Sequence, residues 1–286
     1  MKISAKVSFL LAALLLASCS TMDAVDFLAN AAKPKPGPGT PPPGQNPPPP
    51  GQSASSQNAS GGSGAPHGLD AQAQAEWAKY SNPAPSGKSY AAGGDQTGLQ
   101  AYTVKPGEWA VYRSLEGGKL KAVIKMAIVG KEGDAWIYEF VSYSEGDSAA
   151  IQEAVQGLDS VVQSGSADKG NVVWVKVKGR DGKVQRFDGA LLGMGGAAYK
   201  NMLTANAATY AAGVTAGGIV TVPAGTFAAT WKVQSQVSHG RSPGQGVGWV
   251  STQVPLWHLI KAVSDDGNTV LELVDFGSSG YQSSFQ

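Results

Sequence analysis

Few side chains in this sequence have the types and spacing that chemistry requires. The chain contains three histidines and a single cysteine, Cys19. His67, His239 and His258 lack the spacing of a metal site, and no group of cysteines accompanies them. No Gly-x-Ser-x-Gly occurs, so the nucleophile elbow of serine hydrolases is absent. We therefore expect no catalysis, no bound metal and no cofactor.

The remaining polar candidates leave one alternative open. Glu139 and Glu272 lie within predicted strands, and each side chain could face either side of a sheet. His239, Arg241 and His258 would support a hydrolase if the fold brought them together. The sequence does not say whether it does, so a hydrolase stays the third hypothesis, behind two non-catalytic ones.

Cys19 ends an N-terminal segment with the pattern of a secretory signal. Lys2 and Lys6 precede the apolar run Val7–Ala17. That run is too short to cross a bilayer as a helix, which needs about 20 residues. The sequence LASC at 16–19 then resembles the lipobox of bacterial lipoproteins. The alternative is an ordinary secretory signal followed by a buried free cysteine.

The lipobox resemblance implies a membrane anchor. It implies cleavage after Ser18, a diacylglyceryl group on the sulfur of Cys19 and acylation of the new amino end. Two or more acyl chains hold a protein stably, whereas one chain is marginal. Ser20, rather than an aspartate, follows the cysteine, which by the sorting rule of enteric-type bacteria implies the outer membrane. Whether the protein faces the periplasm or the cell surface stays open.

Three segments follow from this interpretation: a signal peptide at 1–18, a tether at 19–98 and a globular domain at 99–286. Ten of the 17 prolines lie in Pro34–Pro50, which favours extended polyproline II. At ~3.1 Å per residue this run reaches roughly 50 Å, so it is a spacer or a ligand for a proline-recognition domain. Ala71–Tyr80 reads as one short helix in a linker that could dock on the domain. The net charge of +1 argues against a nucleic-acid partner.

The domain at 99–286 reads as α+β, a large curved antiparallel sheet with two inserted helices. Apolar residues at helical spacing predict helices over Ser148–Val162 and Ala190–Ala212. The glycine-rich stretch 240–248 reads as a loop before a strand that starts at Trp249. Alternation and turn residues predict further strands over Lys119–Val129, Ala135–Tyr143, Asn171–Lys178, Val184–Phe187, Thr226–Ser238, Leu256–Val263 and Thr269–Phe276.

A series of short motifs gives the domain a family resemblance. VPAGTF at 222–227, WVS at 249–251, VPL at 254–256, LIK at 259–261 and LELVDFG at 271–277 occur in this order. The order resembles a group of uncharacterised bacterial lipoproteins and periplasmic domains that are similar to the LolA/LolB-like superfold. That resemblance implies an open antiparallel half-barrel closed by helices.

The resemblance also implies where a ligand would bind. In this superfold the concave sheet face often holds acyl chains, and Phe227, Trp231 and Val233 form an apolar row on the longest predicted strand. These side chains either contact an apolar ligand or pack under the helices. We expect a non-enzymatic lipoprotein anchored through Cys19 that binds a lipid or acyl chain. The alternative is a structural envelope protein that binds a protein partner from a proline-rich spacer.

Overall fold

The computed structural model describes residues 71–91, 103–164, 170–179, 182–189, 214–239 and 242–286. These residues form two helices, α1 (Ala71–Ser81) and α2 (Leu158–Ser164), and one twelve-stranded sheet. No helix in these ranges is long and apolar enough to span a membrane. The strands are β1 (Ser89–Tyr90), β2 (Trp109–Glu116), β3 (Lys119–Glu132), β4 (Ala135–Ser144), β5 (Asp147–Gln156), β6 (Asn171–Lys178), β7 (Val184–Asp188), β8 (Val214–Val222), β9 (Gly225–His239), β10 (Ser242–Val250), β11 (Leu259–Ser264) and β12 (Thr269–Gly277).

The sheet is open and almost entirely antiparallel. Its order is β1-β9-β10-β11-β12-β2-β3-β4-β5-β6-β7, and β8 also pairs with β9. Among the described strands only the two-residue strand β1 runs parallel to its neighbour, pairing Ser89 with Thr226. In the described part of the chain β7 has no second partner, so the sheet does not close. This open antiparallel sheet confirms the coarse fold class predicted from the sequence.

Hairpins account for most of the predicted strands. The β3–β4 hairpin turns at Gly133, whose φ of 63° lies in the left-handed region that glycine adopts without steric cost. The same logic holds at Gly267, which turns β11 into β12 with a φ of 68°. Alternation of buried and exposed residues does not by itself define these strands. The middle of β3 is buried on both faces of the sheet, because Val123 and the adjacent Ile124 are both buried.

The sheet has two buried faces. Its inner face carries the main hydrophobic cluster, which includes Tyr112, Ile124 and Phe227. Its outer face carries a smaller cluster, which includes Val111 and Val123 and packs against α1. Burial on both faces leaves few strand positions for charged side chains, which contributes to the low charged fraction of the chain, 15%.

One predicted helix is wrong over most of its length. Within Ser148–Val162, the residues up to Gln156 belong to β5, and helix α2 begins only at Leu158. The four-residue spacing of Ile151 and Val155 fits a strand as well as a helix, because residues an even number apart share one face of a strand. Since β5 is buried on both faces, it shows no alternation. The predicted helix Ala190–Ala212 lies outside the described residues.

The glycine-rich stretch and the strand that follows it also differ from prediction. Strand β10 begins at Ser242 and pairs with β9, so the predicted loop 240–248 is mostly strand. The strand predicted from Leu256 begins only at Leu259. Leu256 and His258 have φ values of 63° and 56°, which bend the chain into a tight turn before β11.

Part of the segment assigned to the tether docks on the domain. Helix α1 confirms the helix predicted at Ala71–Tyr80, and Ala73, Trp77 and Tyr80 pack on the outer face. Beyond it, Lys88 O accepts a hydrogen bond from Thr226 N at 2.9 Å, just before β1 joins β9. The docking that the sequence left open therefore occurs.

Candidate functional site

The segment 251–258, which we call the plug, reaches across the inner face of the sheet. Trp257 Nε1 donates to Tyr138 Oη at 3.4 Å, and the two rings meet edge to face at 6.1 Å. Tyr138 lies on β4, four strands from β11 in the sheet order. Tyr112 Oη donates to Leu259 O at 3.1 Å, just beyond the plug. The plug therefore fills the inner face between β11 and β4.

His258 is the last residue of the plug. Its ring is buried, and Nδ1 lies 2.7 Å from Val254 O. Burial lowers the pKa of His258 to about 4, so the ring is neutral at physiological pH. His67 and Arg241 lie outside the described residues, and no side-chain contact of His239 is described. Whether His239 and Arg241 meet His258 therefore stays a prediction.

The apolar row predicted on β9 lies within the inner-face packing. Phe227 and Val233 are buried, and Trp231 is partly buried. Tyr90 stacks on Phe227 with ring centroids 4.5 Å apart, and Phe276 lies 6.2 Å from Phe227. Tyr90 comes from the segment that precedes the predicted domain, a contact that strand periodicity could not reveal.

The carboxylates singled out in the sequence lie on the outer face. Glu139 accepts four hydrogen bonds, including those from Tyr281 Oη at 2.7 Å and Ser284 N at 2.8 Å. It therefore clamps the C-terminal segment, and both of its carboxyl oxygens are satisfied by hydrogen bonds. Glu272 forms an ion pair with Arg113. Within the described ranges no three metal-ligating side chains come together.

A different carboxyl group occupies the inner face. Glu153 pairs in register with Tyr138 of β4 and Val175 of β6, and Ile151 and Val155 flank it on the same side of β5. We call these five residues the inner-face site. Glu153 is 0% exposed, and neither of its carboxyl oxygens has a hydrogen-bond partner in the part of the chain that the structure describes. An acid at such a position costs free energy unless a polar group reaches it.

Burial decides the protonation of this site. It raises the pKa of Glu153 to about 8, so the carboxyl group is neutral at pH 7. Burial also raises the pKa of the Tyr138 hydroxyl, and the nearby Glu153 adds to the shift. A neutral carboxyl group both donates and accepts hydrogen bonds, and it exerts no charge repulsion on an anionic head group. The buried carboxyl group can therefore donate or accept a hydrogen bond without carrying a charge.

Glu153 was missed because the segment around it reads as a helix. In a helix, Glu153 would share the surface with Gln152 and Gln156. In a strand it stands between Ile151 and Val155, as an acid in an apolar row. The signal that would have found it is this two-residue spacing. Cys19, the predicted lipid-attachment residue, lies outside the described residues.

Comparisons with known proteins give no family. No protein-family model matches the chain, and no curated protein matches it. Among solved structures, the crystal structure of MucB is similar, with a TM-score of 0.35 and 9% sequence identity. The match covers 66% of this chain and 59% of that one, so this chain spans less than two thirds of the MucB structure. A likeness at this TM-score carries no argument about function.

Proposed function

We propose that this protein is a non-catalytic, lipid-anchored lipoprotein of the outer membrane whose β-rich domain binds an amphipathic ligand at the inner-face site. The observation that carries the ligand proposal is Glu153, a fully buried carboxyl group without a hydrogen-bond partner among the described residues. Leaving such a group unsatisfied costs about 1–3 kcal/mol. A ligand oxygen that hydrogen bonds with it would recover that cost. Strongly perturbed buried acids of this kind are more frequent at functional sites than elsewhere.

The surroundings of Glu153 select the rest of the ligand. Ile151, Val155 and Val175 flank the carboxyl group, and a second apolar cluster on the same face adds Val177 and Phe187. Apolar walls with one polar group match a molecule with a single polar head and a hydrocarbon chain. A long-chain fatty acid is the simplest probe of this class.

The far wall of the same apolar interior is the row predicted on β9, which consists of Phe227, Trp231 and Val233. The main cluster is continuous from Val155 to this row on β9. A long acyl chain would reach the row by displacing Trp231, which is the least buried of the three. Because Glu153 is itself buried, ligand entry needs the packing over the inner face to open, and association should be slow.

Two substitutions at one position test the ligand proposal. Native mass spectrometry and equilibrium titration would measure binding of a long-chain fatty acid at pH 6.5 to the protein from which co-purified lipid has been removed. Glu153→Gln keeps a hydrogen-bond donor and should retain binding within a few fold. Glu153→Leu has similar bulk but no polar atom, and it should weaken binding about tenfold.

Comparing the two variants separates an effect on ligand binding from an effect on folding. Removing a buried, unsatisfied acid should not destabilise the domain, so weaker binding by Glu153→Leu cannot be attributed to unfolding. Equal binding by Glu153→Leu and the unchanged protein would refute the role of Glu153. Absence of fatty-acid and phospholipid binding to the unchanged protein at micromolar concentrations would refute the ligand proposal as a whole.

The anchor proposal has separate support. It depends on the lipobox at 16–19 and on Cys19 being the chain's single cysteine. The proline-rich run at 34–50 then gives the domain a reach of roughly 50 Å from the membrane surface. Together these features describe a domain held near a membrane and free to meet lipids or envelope proteins.

The packed row on β9 favours a second candidate, a structural envelope protein that binds a protein partner. Phe227 and Val233 are packed against neighbouring side chains, as residues with a structural role are. In this case the reach of the tether matters and ligand binding does not. Deleting Pro34–Pro50 should reduce partner crosslinking, while Glu153→Leu leaves crosslinking unchanged. Unchanged crosslinking after the deletion would eliminate this candidate.

A further inference from the structure

The outer face of the sheet carries a cleft that the inner-face site does not use. The cleft has a volume of about 190 Å³ and lies between helix α1 and the C-terminal segment. Gln72 from the helix and Gln282 from the C-terminal segment line its sides, and Lys125 of β3 lines it from the sheet. Pockets for drug-sized molecules are typically about 300–1,000 Å³, so this cleft suits a ligand of only a few atoms.

Specific contacts fix both sides of the cleft. On one side, Tyr281 Oη donates to the buried Glu139 at 2.7 Å, which holds the C-terminal segment on the sheet. On the other side, Lys125 Nζ donates to Glu76 of α1 at 3.1 Å. The same ammonium group lies 5.1 Å from the centroid of the Tyr281 ring, so Lys125 contacts both sides. The packing of the helix and the C-terminal segment therefore sets the shape of the cleft.

Cations outnumber anions among the residues that line the cleft. Lys79 and Lys125 stand against Glu76 alone, which leaves one excess positive charge in the lining. A hydrogen bond to Tyr80 raises the pKa of Lys79, so this ammonium group is charged at pH 7. Glu76 and, from outside the lining, Asp275 add to the rise in this pKa. The lining therefore favours an anion over a cation, and a single negative charge matches it best.

The lining also offers hydrogen-bond donors to such an anion. Each lysine ammonium group has three hydrogens. Lys79 and Lys125 each give one of them to a neighbouring side chain, at 2.7 and 3.1 Å, and so keep hydrogens for a ligand. The side-chain amides of Gln72 and Gln282 can donate as well. Hydrogen bonds from charged donors to a charged acceptor are the stronger kind, so the two ammonium groups should dominate.

A carboxylate has the charge and the acceptors that this cleft selects. Its two oxygens accept several hydrogen bonds and donate none. A second negative charge on the ligand would face the Glu76 carboxylate, whereas an uncharged ligand would leave the excess positive charge unmatched. We propose that this cleft binds a small carboxylate with a single negative charge, for which acetate is the simplest probe.

The test follows the indole N–H of Trp109, which lines the cleft, by NMR of the full-length protein in a non-ionic detergent at pH 7. The signal is assigned by its loss in Trp109→Phe. Sodium acetate should shift it with a Kd on the order of 10 mM, because a ligand of so few atoms makes few contacts. Acetamide has the same shape without the charge, and malonate has a second charge, so both should bind more weakly. Sodium chloride at equal concentration measures the effect of ionic strength.

Variants that change the charge in opposite directions locate the site. Lys79→Gln removes the excess positive charge and should weaken acetate binding about fivefold. Glu76→Gln removes the single carboxylate of the lining and should tighten acetate binding about threefold. Lys119→Gln makes the same change in net charge as Lys79→Gln, at an exposed residue of β3 that does not line the cleft, and it should leave the Kd unchanged. Circular dichroism of the three variants would check that the fold is retained.

Several results would overturn the proposal. An unchanged Trp109 signal at ten times the expected Kd of acetate would refute it. An equal shift with acetamide or with sodium chloride would show that the cleft does not select a carboxylate, and tighter binding of malonate would refute the single charge. Weaker acetate binding by Glu76→Gln, or equal weakening by Lys79→Gln and Lys119→Gln, would contradict the charge argument. None of these results bears on Glu153, because the inner-face site lies on the opposite face of the sheet.

Discussion

Replacing Glu153 with leucine should make the protein more stable, by an amount that grows with pH. The reason is the buried carboxyl group, whose pKa rises from 4.5 to about 8 in the folded protein. Between these values the folded state keeps the proton and the unfolded state loses it. Unfolding therefore releases a proton, and stability falls as pH rises.

The magnitude follows from linkage. Each pH unit between the two pKa values costs 1.36 kcal/mol of stability, so the 2.5 units from 4.5 to pH 7 cost about 3 kcal/mol. Continuing to pH 8 brings the cost to about 5 kcal/mol. Glu153→Leu removes the titration, so its advantage should be smallest near pH 4.5, where only the cost of the unsatisfied polar group remains, and largest at pH 8. Glu153→Gln removes the same titration but keeps a buried polar group, so it should gain less.

The assay is equilibrium urea unfolding, followed by tryptophan fluorescence at half-unit steps from pH 5 to pH 8. The quantity of interest is the difference between each variant and the unchanged protein, because other titrating groups contribute equally to both. Glu145→Gln is the control, since Glu145 is exposed in the turn between β4 and β5. Parallel stability curves for Glu153→Leu and the unchanged protein across this range would refute the reasoning.

Three further predictions concern other parts of the chain. Glu139→Ala should lower the free energy of unfolding by about 3 kcal/mol in urea titrations, because four donors lose their acceptor. Gly225→Ala should cost about 2–3 kcal/mol in the same assay, since φ is 144° and a Cβ would lie 2.7 Å from Lys88 O. Gly130→Ala meets no atom within 4 Å and should cost less than 1 kcal/mol. Cys19→Ala should leave the protein unlipidated and absent from the membrane fraction; unchanged fractionation would contradict the anchor.

Local patterns predicted the hairpins well. Lys119–Val129 and Ala135–Tyr143 became β3 and β4, because a polar turn with a glycine separates two strands that are adjacent in the chain. The same reasoning found β12 at Thr269–Phe276 to within one residue. Each of these pairings depends only on residues close in sequence.

Contacts between residues far apart in the chain limited the prediction of the other elements. Strand β5 is buried on both faces because helix α1 and the C-terminal segment cover the outer side of the sheet. The sequence of β5 itself does not indicate that either segment packs there. The sequence predicts a strand from Leu256, at the end of the plug, whereas the left-handed residues Leu256 and His258 turn the chain there before β11. Tyr90 stacks on Phe227, which lies 137 residues further along the chain. Periodicity carries no information about such contacts.

For the candidate site too, local patterns were informative and non-local packing was not. The sequence drew attention to an apolar row on β9 and to a general expectation of an apolar ligand. It did not reveal Glu153, since an acid is conspicuous only once its strand, its face and its apolar neighbours are known. Glu153 therefore escaped notice because strand β5 was predicted as a helix.

The central claim is that Glu153 is a protonated acid that meets the polar end of an amphipathic ligand. The most direct measurement is ¹³C NMR of the side-chain carboxyl groups of glutamate, with the Glu153 signal assigned by its loss in Glu153→Gln. We predict a carboxyl signal that titrates near pH 8 and that shifts when a long-chain fatty acid is added at pH 6.5. A Glu153 signal that titrates near pH 4.5 and does not respond to the fatty acid would contradict the account.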